Sequence, residues 1–496
     1  MGAKKVTIIG SGFAGLSAAC FMAKAGYKVL VLEKNEQPGG RARQLKIDGF
    51  SFDMGPSWYW MPDVFERFFH QFNKKVADYY ELIRLDPSYR IYWENEATDI
   101  PAGYNALKEL FEKTEPGSGK QLDVFLKEAA YKYKTGMQKL VYKPGLSVTE
   151  FLDAGLLTGI FKLDIFTSMK KHVRKYFKHP QIQQLLEFPV LFLGDLPEKI
   201  PALYSLMNYA DIKGGTWFPK GGMYSIVEAM YTLALELGVQ FQFNKNVIKI
   251  EVEHNAATGI IVENTDKTLL TINTDVVIAN ADYHHVENTL LSKEYRNYPE
   301  SYWEQKTIAP SALLYYVGLD VKLKNVCHHS LFFDTSFTKH AKEIHTSREW
   351  PEEPLFYVSA TSVTDSSLAP EGCENIFFLI PVAAGLHDDT AVLRDFYFNM
   401  ILKRFEERIK QPVRQHIIVK KSFAYSDFVN DYNAYKGNAY GLANTLMQTA
   451  VLKPSIKNKK IKNLFYTGQL TVPGPGVPPA LISGEIVAKH VLNLFT

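Results

Sequence analysis

The chain opens with two short apolar runs separated by an amphipathic stretch. The first run, at 6–9, is β-branched and stops at a glycine, which predicts a buried parallel strand. From Phe13 onward the apolar residues recur at helical spacing, and Gly26 supplies a stop for that helix. The second run, at 28–32, is again strand-like. The N-terminal pattern therefore predicts one βαβ unit.

Three glycines fall at the first turn of this unit. Gly10 permits the tight turn, Gly12 lets the backbone approach a pyrophosphate, and Gly15 lets helix and strand pack closely. Phe13 and Ala14 begin the helix, whose free N–H groups would face the phosphates. The turn is therefore predicted to bind a dinucleotide.

A carboxylate stands at the end of the second strand. Glu33 occupies the place where an acidic residue hydrogen-bonds an adenosine ribose, and Lys34 follows it. An acid without a neighbouring arginine argues against a 2′-phosphate, so FAD or NAD fits better than NADP. Only one such glycine fingerprint occurs in the sequence, which argues against a second nucleotide site.

Composition adds limits to this interpretation. Of the 496 residues, 46% are apolar and 22% are charged, and the formal net charge of +3 gives no nucleic-acid signature. No apolar run reaches the roughly 18 residues of a membrane span and no leader precedes the first strand, so a cytoplasmic protein is expected. Cys20, Cys327 and Cys373 are too far apart for a CxxC redox or zinc pattern, and no metal site is expected.

Further motifs follow the βαβ unit. In PGGRARQLKIDGFSFDMGPSWYWMP, residues 38–62, a glycine pair precedes two arginines that could serve a phosphate or a flavin tail. A strand-like stretch at 50–53 then leads to a glycine-proline bend. The other motifs are GGTWFPKGGMYSIVEAM at 214–230, VIANADYHHVENTLL at 277–291 and NLFYTGQLTVPGPGVPPALISGEIVAKHV at 463–491.

With these motifs the chain resembles the carotenoid desaturase branch of the flavin amine oxidase-like oxidoreductases, of the bacterial phytoene desaturase type. The resemblance implies an α/β fold. A Rossmann-like FAD-binding domain of the glutathione reductase and amine oxidase-like superfamily would carry an inserted α+β substrate domain. The implied FAD-binding domain is discontinuous, at 1–90, 210–290 and 455–496, and the implied substrate domain covers 91–209 and 291–454.

The resemblance also implies which residues bind the cofactor. A helix beginning near Pro478 would point its positive end at the flavin edge, where negative charge develops on reduction. No general base is predicted, because His284 and His285 are better explained as histidines at a helix start. Beyond the first turn, the implied FAD-binding residues are Gly40, Arg41, Arg43, Gly55, Pro56, Ser57, Val247, Gly468, Gln469, Gly476, Val477 and Pro478.

The activity implied by the resemblance is FAD-dependent desaturation of a carotenoid. A polyene has no acidic C–H, so hydride transfer from an allylic carbon to flavin would carry the reaction, and loss of a proton from the neighbouring carbon would give the new double bond. Phytoene is the expected substrate, and quinone or O2 the expected electron acceptor. Three alternatives stay open: desaturation of a hydroxylated or later carotenoid, as in a 3,4-desaturase; carotenoid isomerisation; and flavin-free prenyl binding on the same fold.

Aromatic and basic segments suggest how an apolar substrate is reached. Trp58, Tyr59, Trp60, Trp217 and Phe218 are predicted to wall an apolar tunnel, with ordinary core packing as the alternative.

Residues 155–179 are predicted to contact a membrane surface peripherally. Leu156, Leu157, Ile160 and Phe161 would lie on one helical face. The cations that follow are Lys170, Lys171, Arg174, Lys175 and Lys178. A core-facing helix with a solvated basic face is the alternative interpretation.

Overall fold

The computed structural model describes residues 4–151 and 163–495. In chain order, its strands are β1 (Lys5–Ile9), β2 (Lys28–Leu32), β3 (Gln44–Ile47), β4 (Phe50–Asp53), β5 (Leu82–Arg84), β6 (Tyr89–Trp93), β7 (Ala97–Ile100), β8 (Trp217–Pro219), β9 (Gln240–Gln242), β10 (Asn246–Glu253), β11 (Ala256–Glu263), β12 (Leu269–Asn273), β13 (Val276–Ala279), β14 (Ser311–Leu319), β15 (His329–Phe333), β16 (Phe356–Ser359), β17 (Glu374–Val382), β18 (Ile417–Phe423) and β19 (Leu464–Tyr466). Its α-helices are Phe13–Lys24, Pro62–His70, Tyr104–Thr114, Ser118–Thr135, Met169–Tyr176, Pro180–Glu187, Leu206–Tyr209, Tyr224–Glu236, Tyr283–His285, Glu300–Glu304, Phe337–Lys342, Ala391–Ile409, Tyr425–Tyr432 and Val477–Phe495.

A parallel five-stranded sheet lies at the centre of the first unit. Its strand order is β19-β13-β1-β2-β9, and its strands come from the start, middle and end of the chain. The predicted βαβ unit is confirmed, since β1 and β2 pair in parallel on either side of the helix Phe13–Lys24.

The two faces of this sheet are covered by different layers. Val6 and Ile8 of β1 pack into a cluster with helical residues, whereas Ile9 and Val277 pack with residues of the antiparallel meander β10-β11-β12. Successive side chains of a strand point to opposite faces, so both faces of a short apolar strand can be buried. The sheet therefore lies between a helical layer and a small meander.

Glycines allow the C-terminal helix to approach the N-terminal one closely. A Cβ placed on Gly484 would lie 2.2 Å from the carbonyl oxygen of Ala14 and 2.7 Å from the Cβ of Ser17. The helices Phe13–Lys24 and Val477–Phe495 thus pack backbone against backbone at this point. This contact brings the start of the C-terminal helix beside the first glycine turn.

The second unit is built on a seven-stranded sheet of order β18-β14-β17-β16-β15-β6-β7. Its pairs are antiparallel except for β15 and β6. The helix Ala391–Ile409 covers one face of this sheet. Most of the helices between residues 104 and 214 pack on its opposite face. The expected fold class, a Rossmann-like domain with an inserted α+β domain, is confirmed. The domain limits stay a prediction. The boundary predicted between residues 90 and 91 falls inside β6.

Asp53 joins two of the sequence motifs. Its carboxylate accepts hydrogen bonds from the backbone N–H groups of Met223 at 2.8 Å and Tyr224 at 3.0 Å, at the start of the helix Tyr224–Glu236. Burial raises the pKa of Asp53 to about 6, and the two backbone hydrogen bonds oppose that rise. A carboxylate at a helix N-terminus is also favoured by the helix dipole. The motif at 50–56 and the segment at 214–230 are therefore held together by one side chain.

In the predicted membrane-contact region at 155–179, residues 155–162 lie outside the described residues, and they contain the whole predicted apolar face. The helix Met169–Tyr176 buries Met169 and Val173 in the core, while Lys171 and Arg174 on it are exposed. This part of the region is therefore a core-facing helix with a basic outer face. Among the described residues, every helix is too short or too polar to span a bilayer.

Candidate functional site

A cavity of about 820 Å³ lies between the parallel sheet and the seven-stranded sheet. One end is walled by the first glycine turn and the ends of β1, β2 and β13. The other end is walled by side chains of the second unit, and those that are apolar include Leu163, Ile165, Leu191, Leu203, Phe333 and Phe337. Such a cavity lies at the carboxyl edge of parallel strands, the usual place for a ligand in an α/β sheet.

The glycine turn has the geometry that each glycine was predicted to provide. Gly10 adopts a φ of +95°, and its N–H donates to the Leu32 carbonyl at 2.8 Å. A Cβ on Gly15 would lie only 2.2 Å from the carbonyl oxygen of Gly10, so no side chain fits there. A Cβ on Gly12 would meet only Asn280 Nδ2 at 3.2 Å, because the rest of its surroundings is cavity.

Glu33 is fixed at the cavity wall by its neighbours. Its Oε2 accepts from the backbone N–H of Ser11 at 2.8 Å and from the Ser11 hydroxyl at 2.7 Å. Its Oε1 accepts from the backbone N–H of Asn35 at 2.9 Å. The neighbouring residue Lys34 also lines the cavity, and burial lowers the pKa of its side chain. The carboxylate is therefore oriented before any ligand binds.

The two arginines of the glycine-rich motif have different surroundings. Arg41 is at the cavity wall, donates to the Asn438 carbonyl at 3.1 Å, and has no partner for its buried Nε among the described residues. Burial lowers the pKa of Arg41, and the charge of Asp282 opposes this shift. Arg43 is not at the wall itself, but it forms an ion pair with Asp431 and donates to the Tyr432 hydroxyl at 3.3 Å, and these two partners line the cavity.

Most of the predicted cofactor-binding residues meet at this cavity. Gly15 and Arg43 lie behind the wall, where they support the turn and the adjoining helix. Their role in binding stays a prediction, as it does for the rest. The residues at the wall are Gly10, Gly12, Phe13, Ala14, Glu33, Lys34, Gly40, Arg41, Gly55, Pro56, Ser57, Val247, Gly468, Gln469, Gly476, Val477 and Pro478.

Comparison with known proteins gives a consistent result. Residues 13–492 match the family described as flavin containing amine oxidoreductase. The chain is 41% identical to a carotenoid 3,4-desaturase from Haloarcula japonica, over 98% of both chains. It is 29% identical to a zeta-carotene-forming phytoene desaturase from Myxococcus xanthus, over 99% of this chain and 94% of that one.

The chain belongs to the carotenoid desaturase branch of the flavin-containing amine oxidoreductases. Among solved structures, an oxidoreductase from Methanosarcina mazei superposes with a TM-score of 0.64 over 98% of this chain and 100% of that one. At 17% identity this likeness concerns the fold alone.

The cavity fits the flavin cofactor of this family. Three of its lining residues match such a ligand: Gly12 leaves open space, Arg41 brings a cation and Glu33 brings an oriented carboxylate. The helix Val477–Phe495 begins at the same wall, so the positive end of its dipole lies at the cavity. Pro478 and Pro479 have no N–H, and the Ala480 N–H donates to the Gly476 carbonyl at 2.9 Å. The cation, the carboxylate and the helix dipole suit a phosphate-linked, electron-accepting ring system.

Three of the five residues predicted to wall a tunnel do not line this cavity. Trp58 and Trp60 line the cavity, but Tyr59 points the opposite way into the first core, where it stacks on Phe65. The reason is that 58–60 is extended, so alternate side chains face opposite sides. Trp217 pairs with Tyr59 through a backbone bridge, and Phe218 is buried in a small separate cluster. These three residues therefore serve the core.

One histidine at the cavity, His340, has both ring nitrogens engaged. His340 accepts from the Leu355 N–H at 3.0 Å through Nδ1 and contacts the Pro381 carbonyl at 3.0 Å through Nε2. Burial lowers the pKa of His340 to about 4, and it does the same for His285. The predicted helix-start position of His284 and His285 is confirmed, because Asp282 accepts from both of their backbone N–H groups. No general base emerges among these side chains.

Other wall residues were not predicted from the sequence. Tyr357, Tyr440 and Asn444 line the cavity, and burial raises the pKa of Tyr440 to about 12. They come from β16 and from the loop before 446, which the sequence motifs do not cover. No local pattern marks these positions, since they meet the cavity only through the tertiary fold.

A possible cation-binding group lies elsewhere, beneath the helix Met169–Tyr176. Glu128, Asp164 and His172 offer ligand atoms close to one another. The buried ammonium of Lys132 already lies among them, 2.8 Å from Asp164 Oδ2 and 3.3 Å from His172 Nε2. The negative charge of this group is therefore matched by a lysine.

Proposed function

We propose that this protein is an FAD-dependent carotenoid desaturase that introduces double bonds into an acyclic polyene. The observation that carries the proposal is the single cavity that joins the dinucleotide-type turn to an apolar end walled by Trp58 and Phe333. A long hydrocarbon needs shape and apolar contact to be held, because it offers no group for a hydrogen bond.

FAD is proposed as the flavin form. Glu33 lies where a ribose would be bound, and its carboxylate oxygens can accept from ribose hydroxyls in addition to their present donors. When bound, FAD supplies the two-electron acceptor for oxidation of an allylic C–H bond. Gly12 and the N-terminus of the helix Phe13–Lys24 would hold its pyrophosphate.

The side chains at the cavity orient the substrate and exclude water from it. Trp58 and Trp60 border the cavity beside Ser57, at the glycine-proline bend that carries predicted flavin-binding residues. The buried His340 cannot take a proton easily, because both ring nitrogens already contact backbone groups. The reaction therefore depends on how the polyene is positioned more than on a side-chain base.

Phytoene is the first proposed substrate, and the 3,4-bond of an acyclic carotenoid is the second. The relative from Myxococcus xanthus is named a phytoene desaturase, and the one from Haloarcula japonica a carotenoid 3,4-desaturase. Purified, flavin-loaded protein should be given phytoene and lycopene separately in lipid vesicles. Conversion of phytoene to coloured products supports the first substrate, conversion of lycopene alone supports the second, and conversion of neither contradicts both.

We further propose that the cavity mouth faces a membrane surface. Ile165 and Leu446 line the cavity, and their chain neighbours Phe166 and Met447 are 79% and 72% exposed. The segment at 202–204 contacts both: the Ala202 N–H donates to the Thr167 carbonyl at 2.7 Å, and the Tyr204 hydroxyl lies 3.5 Å from the Thr449 hydroxyl. Exposed apolar side chains beside a cavity for a water-insoluble substrate suit insertion into the headgroup region of a bilayer. Leu157 and Phe161, predicted for this role, lie outside the described residues.

A further inference from the structure

The indoles of Trp58 and Trp60, which border the cavity, are both connected to buried polar side chains behind the wall. The Trp60 Nε1–H donates to the Thr216 hydroxyl at 2.9 Å, and that hydroxyl donates to Asp211 Oδ1 at 3.0 Å. The direction of these bonds is fixed, because an indole N–H can only donate and the single hydroxyl proton then serves the carboxylate. Asp211 thus holds Trp60 through one intervening residue.

The other oxygen of the same carboxylate is connected to Trp58. The Tyr89 hydroxyl donates to Asp211 Oδ2 at 2.8 Å. The Tyr89 ring meets the Trp58 indole edge to face, with centroids 5.3 Å apart and an interplanar angle of 66°, a favoured arrangement of aromatic rings. The same ring contacts Phe188, another cavity residue, at a centroid distance of 5.5 Å. One carboxylate therefore reaches both indoles.

The three connecting residues Asp211, Thr216 and Tyr89 are 4%, 0% and 1% exposed, and none of these three described residues lines the cavity. Burial raises the pKa of Asp211 to about 6, and its two hydrogen bonds and the charge of Arg84 oppose that rise. A carboxylate is costly to bury, and apolar side chains can fill such a space at lower cost. Only a group with two acceptor oxygens, however, can bind both hydroxyls at once.

We propose that Asp211 is a positioning residue that sets where the polyene lies by fixing both indoles of the cavity wall. The centroids of Trp58 and Trp60 are 5.3 Å apart, so the two rings form one aromatic surface. A hydrocarbon is located by the shape of such a surface, because it offers no group for a hydrogen bond. Movement of the indoles would change which C–H bond is oxidised. The inference rests on the proposed desaturase function and deepens it, because it assigns the choice of bond to a residue outside the cavity.

The first part of the test follows the indoles directly. Protein labelled with 5-fluorotryptophan gives one ¹⁹F signal for each of its six tryptophans, and Trp58→Phe and Trp60→Phe assign the two signals of the wall. Asp211→Asn, which keeps the shape of the side chain but only one acceptor oxygen, should shift or broaden both signals. Thr216→Val should move the Trp60 signal more, and Tyr89→Phe should move the Trp58 signal more.

The second part measures the reaction of flavin-loaded protein with whichever of phytoene and lycopene the wild type converts in lipid vesicles. Asp211→Asn should lower kcat per bound flavin at least about ten-fold, since a displacement of about 1 Å can cost about a hundred-fold in rate. It should also change which partly desaturated carotenoids accumulate. Thr274→Val and Tyr315→Phe are matched controls, because their buried hydroxyls donate to backbone carbonyls away from the cavity, and both should behave as wild type.

The outcomes separate this inference from the proposed function. Unchanged ¹⁹F signals of Trp58 and Trp60 in Asp211→Asn, or moved signals with wild-type kcat and products, would overturn the inference while the desaturase proposal stands. A wild type that converts neither carotenoid would overturn the desaturase proposal, on which the inference rests. If Asp211→Asn does not fold, as thermal unfolding would reveal, Thr216→Val and Tyr89→Phe decide by the same two measurements, because each removes one hydroxyl and keeps the shape.

Discussion

The His329 imidazole stacks on the Trp58 indole, with ring centroids 4.2 Å apart and an interplanar angle of 11°. His329 is fully buried, and its Nδ1 contacts the Tyr357 hydroxyl at 2.6 Å. Burial keeps the pKa of His329 well below its ordinary value, so the ring is neutral. A fixed, neutral ring behind Trp58 holds the indole in one orientation at the cavity wall.

The first prediction follows from this stack. Trp58→Ala should change which partly desaturated carotenoids accumulate, because the wall sets the position of the polyene through its shape. Flavin content should stay near one per chain. Product distribution by liquid chromatography and flavin content by absorbance check both statements. Tyr59→Phe is the matched control, since Tyr59 points into the core, and an unchanged distribution in Trp58→Ala would place Trp58 outside the substrate path.

The glycine turn gives a second prediction with an internal comparison. Gly12→Val should fold and purify without flavin, because its side chain would extend mainly into the cavity where backbone and pyrophosphate approach. Gly15→Val should yield little folded protein, since a Cβ there meets Gly10 backbone at 2.2 Å. Circular dichroism and flavin absorbance separate the two cases. A yellow Gly12→Val protein with stoichiometric flavin would contradict the assignment.

The exposed apolar residues at the cavity mouth give a third prediction. The double variant Phe166→Ser with Met447→Ser should bind anionic phospholipid vesicles at least about ten-fold more weakly, since each side chain contributes about 1.5–3 kcal/mol when buried. The control pair is Val392→Ser with Phe396→Ser, which removes exposed apolar residues from the helix Ala391–Ile409. Vesicle sedimentation measures all three proteins. Equal loss of binding in both variants would move the docking surface elsewhere.

Lys453 gives a prediction for stability against pH. Its pKa is about 7 in the folded protein, and an unfolded lysine has a pKa near 10.4. Between these values the unfolded chain binds a proton that the folded chain does not, so the free energy of unfolding gains up to about 1.4 kcal/mol per pH unit as pH rises. Lys453→Met should therefore be more stable than wild type at pH 7.5, and this advantage should shrink by pH 9. Urea unfolding at both values checks it, and a constant difference would show that Lys453 titrates normally.

The sequence predicted the parts of the site that depend on local pattern. The strands at 6–9, 28–32 and 50–53, and the turn between the first two, are read from apolar runs and glycines alone. Backbone requirements of this kind are local, so one segment contains all the information. The resemblance added the distant segments at 214–230 and 463–491. No spacing rule could have given their contacts, of the first with Asp53 and of the second with the helix Phe13–Lys24.

Side-chain direction across the fold was harder to predict. Tyr59 was grouped with Trp58 and Trp60 by composition, although an extended backbone must send it to the opposite side. Trp217 lies on the same side as Tyr59, because a backbone bridge joins the two residues. Tyr357 and Asn444 reach the cavity only because the second sheet and the loop after it close over the first unit. Their positions depend on long-range packing, which no local pattern encodes.

The most direct test of the account is anaerobic coupling between the flavin and the carotenoid. Flavin-loaded protein should be mixed with phytoene in vesicles without oxygen or quinone, and the visible spectra of both followed together. We expect the flavin band to bleach as one double bond is gained per flavin, and the colour to return when an acceptor is admitted. A change in the carotenoid without bleaching would indicate isomerisation, and a chain that binds no flavin would contradict the central claim.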